Sequence, residues 1–295
     1  MISASVAEVA EVVHGDLADG ATGDGQIMGV SSDSRSVVPD RLFVALKGTR
    51  VDGHDYARQA VDSGATAVLA DHRVGVPAII VDDVLQALGK LARHHIDQLS
   101  DATVIGITGS VGKTTTKDLL AHILTQIGPT VAPPGSFNNE LGLPMTVLTA
   151  DTSTRFLILE MGARAAGHID YLCTIAPPTV GVELAVGTAH IGEFGGRDAI
   201  AKAKAELVNA LPSDGVAVLN DDDDCVRAMS SMTSARVVTF GESSGAMVRA
   251  EDLSVDGRDR LTFSLTTPKD KATVTLRLPG RHMLPNALAA AATAW

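Results

Sequence analysis

The segment Gly106-Ile-Thr-Gly-Ser-Val-Gly-Lys-Thr-Thr-Thr116 constrains this chain more than any other, because it follows the apolar run TVIGIT and precedes a stretch with Leu119, Leu120, Ile123, Leu124 and Ile127 at helical spacing. Strand, glycine-rich turn and helix in that order belong to an open α/β sheet. Glycines let the backbone turn so tightly that successive N–H groups face phosphate oxygens. Gly109, Ser110, Val111 and Gly112 are therefore the expected cradle, Lys113 the expected contact to the terminal phosphates, and Thr114 or Thr115 the expected hydroxyl on magnesium. The strict phosphate-loop pattern has glycine where this chain has Ile107. A plain structural turn carrying a surface lysine is the competing reading.

The rest of the chain repeats the α/β theme. Before residue 100, Val6, Val9, Val12 and Val13 predict a helix face, LFVAL, TAVLA and AIIV predict strands, and helices are expected over 54–63 and 84–99. After it, RFLILE, TVGVEL, GVAVLN and ARVVTFG alternate with helical segments near 167–174 and 198–210, the pattern of a largely parallel sheet covered on both faces. Residues 248–278 alternate apolar and polar positions between DGR and PKD turns and predict an antiparallel ribbon. The expected organisation is a small α/β domain over 1–100 and a phosphate-loop domain over 101–295, and the chain ends within the helical segment NALAAAATAW.

Composition removes several functions. With 24 Lys and Arg against 35 Asp and Glu, the net charge of −11 disfavours nucleic acid and anionic lipid as partners. Six Phe, two Tyr and one Trp leave little material for stacking bases. Cys173 and Cys225 cannot build a disulfide framework, the first residues lack the basic segment of a signal peptide, and no apolar run reaches about 18 residues. A cytoplasmic, monomeric protein that binds small molecules and does not insert into membranes is expected.

Further candidates lie at strand ends. Glu160 closes an otherwise apolar strand, where it is either a magnesium ligand or an ordinary terminal acid, and His190 follows the next strand toward the same edge. Lys202 has Asp198 and Glu206 four residues away on either side and reads as a solvated ion-pair face. Lys204 instead has Ile200, Leu207 and Val208 for neighbours, so its ammonium either snorkels to water or enters a site that changes its character. Asp33-Ser34-Arg35 and Asp52-Gly53-His54 form a polar set in the first domain, Asn138 and Asn139 a pair of amides in a loop, and Asn220 to Asp224 an acidic run that must meet solvent or a cation in part.

These stretches together resemble the ATP-dependent Mur ligase family: DSRSVVPDRLFVALKGTRVDGHDYARQAVDSGATAVLAD, GITGSVGKTTTKD, FNNELGLPMTVL, ILEMGARAAGHIDYL, AHIGEFGGRDAIAKAKAEL and GRHMLPNALAAAA. The resemblance spans essentially the whole chain. It implies a uridine-nucleotide-binding first domain, a central ATPase domain and a C-terminal Rossmann-like domain that this chain lacks, so that the chain alone is expected to bind ligands and to catalyse poorly or not at all. FNNELGLP and EMGARAAGHI point to the branch that adds D-alanyl-D-alanine to UDP-N-acetylmuramoyl-tripeptide through an acyl phosphate, ahead of the diamino-acid-adding branch; a nucleotide-dependent switch without ligation is the reading from another class. Carried over by position, the resemblance implies that Lys113 holds β and γ phosphates, and that Thr114 and Glu160 coordinate a first magnesium. It further implies that His190 serves a second magnesium and that Lys204 is carbamylated. Asn138 and Asn139 would approach substrate and phosphate, Asn220 and Asn286 the adenine and ribose, and Ser34 and Arg35 the uridine nucleotide. Met283 departs from the family, which commonly has asparagine after the histidine at 282.

Overall fold

In the computed structural model, which describes residues 1–187 and 196–295, β-rich apolar segments and periodic helices sort into two units: Met1–Asp101 with Glu140–Thr154, and Ala102–Asn139 with Arg155–Trp295. The first unit opens with strand β1 (Ala4–Ser5) and helix α1 (Val6–Val13), whose start is fixed by a capping box in which Ser5 and Glu8 exchange side-chain and backbone hydrogen bonds. Strands β2 (Asp16–Ala18), β3 (Gln26–Ile27), β4 (Gly29–Ser31), β5 (Arg41–Val44), β6 (Ala65–Ala70) and β7 (Ala78–Ile80) follow. Strand β3 pairs with β1, and the others form one sheet in the order β2-β7-β6-β5-β4, parallel except for β2.

The helix expected over 54–63 is a 3-10 turn, Gly53–Tyr56, leading into α2 (Ala57–Asp62). Asp52 causes the break, because its carboxylate accepts the His54 N–H and tightens the first turn. Helix α3 (Val84–Asp97) starts at the Asp83 cap, which accepts the Gln86 N–H. Returning from the second unit, the chain adds the short helix α5 (Gly142–Val147), which packs on α3, and the buried His95 imidazole meets the Ala150 carbonyl at 2.9 Å.

The second unit contributes β8 (Thr103–Thr108), α4 (Lys113–Leu124), β9 (Thr130–Val131), β10 (Phe156–Glu160), α6 (His168–Ile175), β11 (Val180–Glu183), α7 (Arg197–Asn209), β12 (Val216–Asn220), α8 (Asp224–Ala228), β13 (Arg236–Gly241), β14 (Val248–Val255), β15 (Arg260–Thr266), β16 (Lys271–Pro279) and α9 (Leu284–Ala294). One nine-stranded sheet runs β16-β15-β14-β13-β12-β11-β8-β10-β9. It is parallel from β9 to β14 and antiparallel beyond, so the predicted ribbon is the edge of the same sheet, joined to β13 through Phe240–Val248 and Gly241–Arg249.

Burial on both faces explains the near-continuous apolar strands. In β12, Val218 joins Ile105, Ile107, Phe240 and Leu288 in the core under α4 and α9, while Ala217 and Leu219 point the other way toward Ile200 and Val208 of α7. The strand period of two thus divides each segment between two cores.

Candidate active site

Strand β8 lies between β10 and β11, so the chain leaves it once toward each side of the sheet. That reversal opens a crevice at the carboxyl ends of the strands. Three polar side chains end there on adjacent strands, since Glu160 pairs with Ile107 and Glu183 with Thr108 in the sheet register. Thr108, Glu160 and Glu183 are all 0% exposed. Among the described residues, the Thr108 hydroxyl, Glu160 Oε1 and both Glu183 oxygens have no hydrogen-bond partner. Buried carboxylate oxygens without partners are costly, and two carboxyl groups with one hydroxyl on neighbouring strand ends are a donor set for a cation.

The loop above them requires glycine twice. Gly109 has φ +152° and a Cβ there would stand 2.8 Å from Leu184 Cβ; Gly112 has φ +88° and a Cβ would stand 2.2 Å from Asn286 Oδ1. Gly112 is also the N-cap of α4, which no side chain caps, leaving the positive end of a twelve-residue helix facing the crevice. Ser110 is structural on one side: its N–H donates to the Ala185 carbonyl and its hydroxyl accepts the Gly187 N–H, each at 2.9 Å. Val111 is exposed and Thr114 and Thr115 are half-buried. Lys113 Nζ folds back to donate to the Gly109 carbonyl at 2.7 Å. Burial lowers the pKa of this ammonium, while the Glu160 and Glu183 carboxylates oppose the shift.

The two lysines of α7 separate as their neighbours differ. Lys202 is exposed and Lys204 is 6% exposed. Burial brings Lys204 down to about 8, with Glu183 acting against it, and burial pushes the Glu183 carboxyl well up, with Lys204 and Lys113 acting against that. Glu206 does not complete the predicted ion-pair ladder as its main task, since its carboxylate accepts the Gly167 and Asp170 N–H groups and so closes the start of α6.

A relay reaches Glu160 from the loop after β9: Asn138 Nδ2 donates to Ser136 Oγ at 2.8 Å, and Ser136 Oγ donates to Glu160 Oε2 at 3.0 Å. Lys117, 1% exposed, holds that loop by donating to the Pro133 and Gly135 carbonyls at 2.5 and 3.1 Å. Asn139 is exposed. Asn220 spends its amide on the Leu184 carbonyl and the Asp222 N–H, and Asn286 accepts from Thr116 Oγ1 and donates to the His282 carbonyl. Met283 is buried at the foot of α9. The acidic run after β12 divides: Asp223 accepts the Val186, Cys225 and Val226 N–H groups and Asp222 those of Glu242 and Ser243, while the exposed Asp224 pairs with Arg227. His190 lies outside the described residues.

Glu183, Thr108, Ser136 and Lys117 are site residues that sequence reasoning missed. Glu183 carried the same signal as Glu160, an acid closing an apolar strand, whereas Lys117 and Ser136 depend on a loop path that no local pattern reveals.

In the first unit, a cavity of about 550 Å³ is lined by Ser34, Arg35, Phe43, Gly53 and Tyr56 among others. Ser34 is buried and donates to Gln59, and the exposed Arg35 forms a two-pronged bond with Asp33 at 2.9 and 2.8 Å.

Two family models match: the Mur ligase middle domain over residues 107–294, and the Mur ligase family catalytic domain over residues 26–96. The chain is 48% identical to the UDP-N-acetylmuramoyl-tripeptide–D-alanyl-D-alanine ligase of Mycobacterium bovis, over 100% of this chain and 63% of that protein's length. It superimposes on the crystal structure of MurF from Acinetobacter baumannii with TM-score 0.90 and 34% identity, covering 99% of this chain and 64% of that one. It also superimposes on MurF ligase from Thermotoga maritima in complex with ADP, with TM-score 0.78 and 32% identity over 89% of this chain and 61% of that one.

Proposed function

Since the chain belongs to the Mur ligase family, we propose that it is the nucleotide- and substrate-binding part of an ATP-dependent ligase that adds D-alanyl-D-alanine to UDP-N-acetylmuramoyl-tripeptide in the cytoplasm. The observation that carries this reading is the set of orphaned buried oxygens, Glu160 Oε1 and both of Glu183, beneath a phosphate loop at the sheet's switch point. The relatives of that activity are longer, with this chain spanning 63% of one and 64% of another.

In the proposed reaction, the terminal carboxylate of the tripeptide bonds to the γ phosphorus of ATP as the bridging P–O bond breaks and ADP leaves. The dipeptide amine then attacks the acyl phosphate carbonyl and expels phosphate. Gly109, Ser110, Val111 and Gly112 shape the cradle, and the α4 N-terminus directs backbone N–H groups into it. Lys113 leaves the Gly109 carbonyl to neutralise charge growing on the terminal phosphates. Thr114 and Glu160, joined by Glu183 and by His190 from beyond the described residues, would hold magnesium, which supplies Lewis-acid polarisation of phosphoryl oxygens when bound. The orphaned oxygens of Glu160 and Glu183 suit such a cation.

Lys204 is proposed to carry a carbamate. With its pKa near 8, a larger fraction of the amine is neutral than in an ordinary lysine, and neutral amine is the form that bonds to carbon dioxide with loss of a proton. Asn138 is proposed to orient Glu160 through Ser136, with Asn139 toward the acceptor peptide, and Asn286 and Asn220 to support the adenine side through the loop and strand ends they tie. Ser34 and Arg35 are proposed to bind the uridine nucleotide in the first-unit cavity.

The test is phosphate release by the full-length gene product with magnesium and ATP, omitting one substrate at a time. Release that needs both the muramoyl-tripeptide and D-alanyl-D-alanine, with the joined product seen by mass, is expected. Release that needs a free diamino acid and the shorter muramoyl-dipeptide precursor assigns the other branch, and none with any acceptor replaces ligation with a nucleotide switch.

A further inference from the structure

His54 presents a geometry that the ligase reading leaves unused. Its ring, 5% exposed, sits on the 3-10 turn after Asp52, and Asp52 Oδ1 lies 2.6 Å from Nδ1. In the tautomer that carries the ring proton on Nδ1, that contact leaves the Nε2 lone pair pointing away from Asp52. What Nε2 faces is another acceptor, Asp71 Oδ1 at 3.3 Å, with the Asp71 N–H at 3.5 Å, beyond the range of a good hydrogen bond. The contact suits either a proton on Nε2, which makes it an ion pair, or a metal cation held between the two atoms. The same Oδ1 lies 2.5 Å from His72 Nδ1, and the two imidazole rings are 4.4 Å apart and tilted by 30°.

We propose that His54, Asp71 and His72 form a zinc-type divalent metal site in the first unit, with Asp52 as the carboxylate that orients His54. Donor atoms of the three residues all lie within 4.8 Å of one another. On tetrahedral zinc with bonds of about 2.0–2.1 Å, donors stand about 3.3–3.4 Å apart, and the His54–Asp71 spacing is 3.3 Å. His72 must give up its hydrogen bond to Oδ1 and shift to reach that spacing, which its 60% exposed side chain permits. Three protein donors leave a fourth position for water. Two imidazoles select zinc-type cations over magnesium, separating this site chemically from the oxygen donors described at the end of β8.

The metal would tie the turn after Asp52 to the end of β6, because Asp71 directly follows Ala70. Gly53 and Tyr56 of that turn line the 550 Å³ cavity, so occupancy would stiffen one of its walls.

The test titrates the untagged chain with zinc chloride in a non-chelating buffer, reading heat and histidine side-chain ¹⁵N resonances together. One equivalent is expected to shift the His54 and His72 resonances. Asp71→Asn and His72→Ala, both at exposed side chains and so compatible with folding, are expected to weaken zinc at least tenfold, and Asp52→Asn by about 10–100-fold. Unmoved His54 and His72 resonances after one equivalent, or unchanged zinc affinity in Asp71→Asn and His72→Ala, would show that a proton alone joins these groups and would overturn the site.

Discussion

Asp33 in the first unit is gripped by the Arg35 guanidinium and backbone, which bring its carboxyl down to about 2. Glu183 at the end of β11 has neither oxygen partnered, and burial pushes its carboxyl well up. A carboxylate that folding satisfies says little about ligands, because the same bonds explain its presence. One that folding buries and leaves unpaired is unfavourable as a charge in the isolated protein and is relieved by a proton or by a bound cation. The phosphate-loop crevice is therefore the region in which substitutions should cost function most and stability least, whereas the exposed first-unit pair should influence folding little and tests whether a satisfied carboxylate can also border a ligand site.

Lys113→Ala should produce the largest effect. Turnover of the full-length protein is expected to fall by about 10²–10³-fold, the usual consequence of losing a group that meets developing charge. Its circular dichroism should match the parent, because the Nζ bond to the Gly109 carbonyl lies within the loop itself. Turnover within about threefold of the parent would remove the crevice from the chemistry.

Next comes the pair of lysines on α7. For Lys204 the folded pKa of about 8 lies below the ordinary value of 10.5, so the unfolded chain binds more protons between those values. Stability should accordingly rise with pH from about 8 to 10.5, and be lost as pH falls back through 8. In buffer stripped of carbon dioxide, Lys204→Met should abolish that slope, while ligation by the full-length protein falls severely. Lys202→Met should change neither. Labelled ¹³C-bicarbonate should give a carbamate signal that Lys204→Met eliminates and Lys202→Met retains. Equal behaviour of the two variants would break the contrast between buried and solvated faces of this helix.

The helix-face contrast was legible because α-helical periodicity is local: Ile200, Leu207 and Val208 place Lys204 on the core side, whatever the rest of the chain does. Gly109, Gly112 and Glu160 were legible for the same reason, each being fixed by strand, turn and helix in immediate succession. Glu206, Asp222 and Asp223 were not. Glu206 read as an ion-pair partner of Lys202 and the aspartates as part of a run meeting solvent or a cation, yet they close backbone N–H groups at 167, 170, 186, 225, 226, 242 and 243, several of them distant in sequence. Helix α5 folding with the first unit, and the 3-10 turn after Asp52, likewise arise from tertiary contact and a side-chain cap that override the apolar period.

Ser136→Ala should be a smaller disturbance within the crevice. It removes the hydroxyl that joins Asn138 to Glu160 Oε2, while leaving the carboxylate available. Losing one hydrogen bond of about 1 kcal/mol corresponds to about fivefold, expected as weaker magnesium activation in full-length turnover at unchanged maximal rate. A fall in maximal rate with unchanged magnesium dependence would place Ser136 outside the relay.

Arg35→Ala should be the mildest change to the fold. The Arg35–Asp33 pair is solvent-exposed, with side-chain exposures of 82% and 46%, so screening leaves it little influence on folding. The melting temperature should be indistinguishable from the parent. Binding is different, because Arg35 lines the cavity and can exchange its carboxylate partner for a phosphate of similar two-pronged geometry. Calorimetry with UDP should therefore show weakened, salt-sensitive binding in Arg35→Ala, and Arg35→Lys should restore charge without restoring the full affinity. If the variant melts earlier and binds UDP as the parent does, the first-unit pair is a structural clasp, and the rule that satisfied carboxylates stand apart from ligand sites holds there without exception.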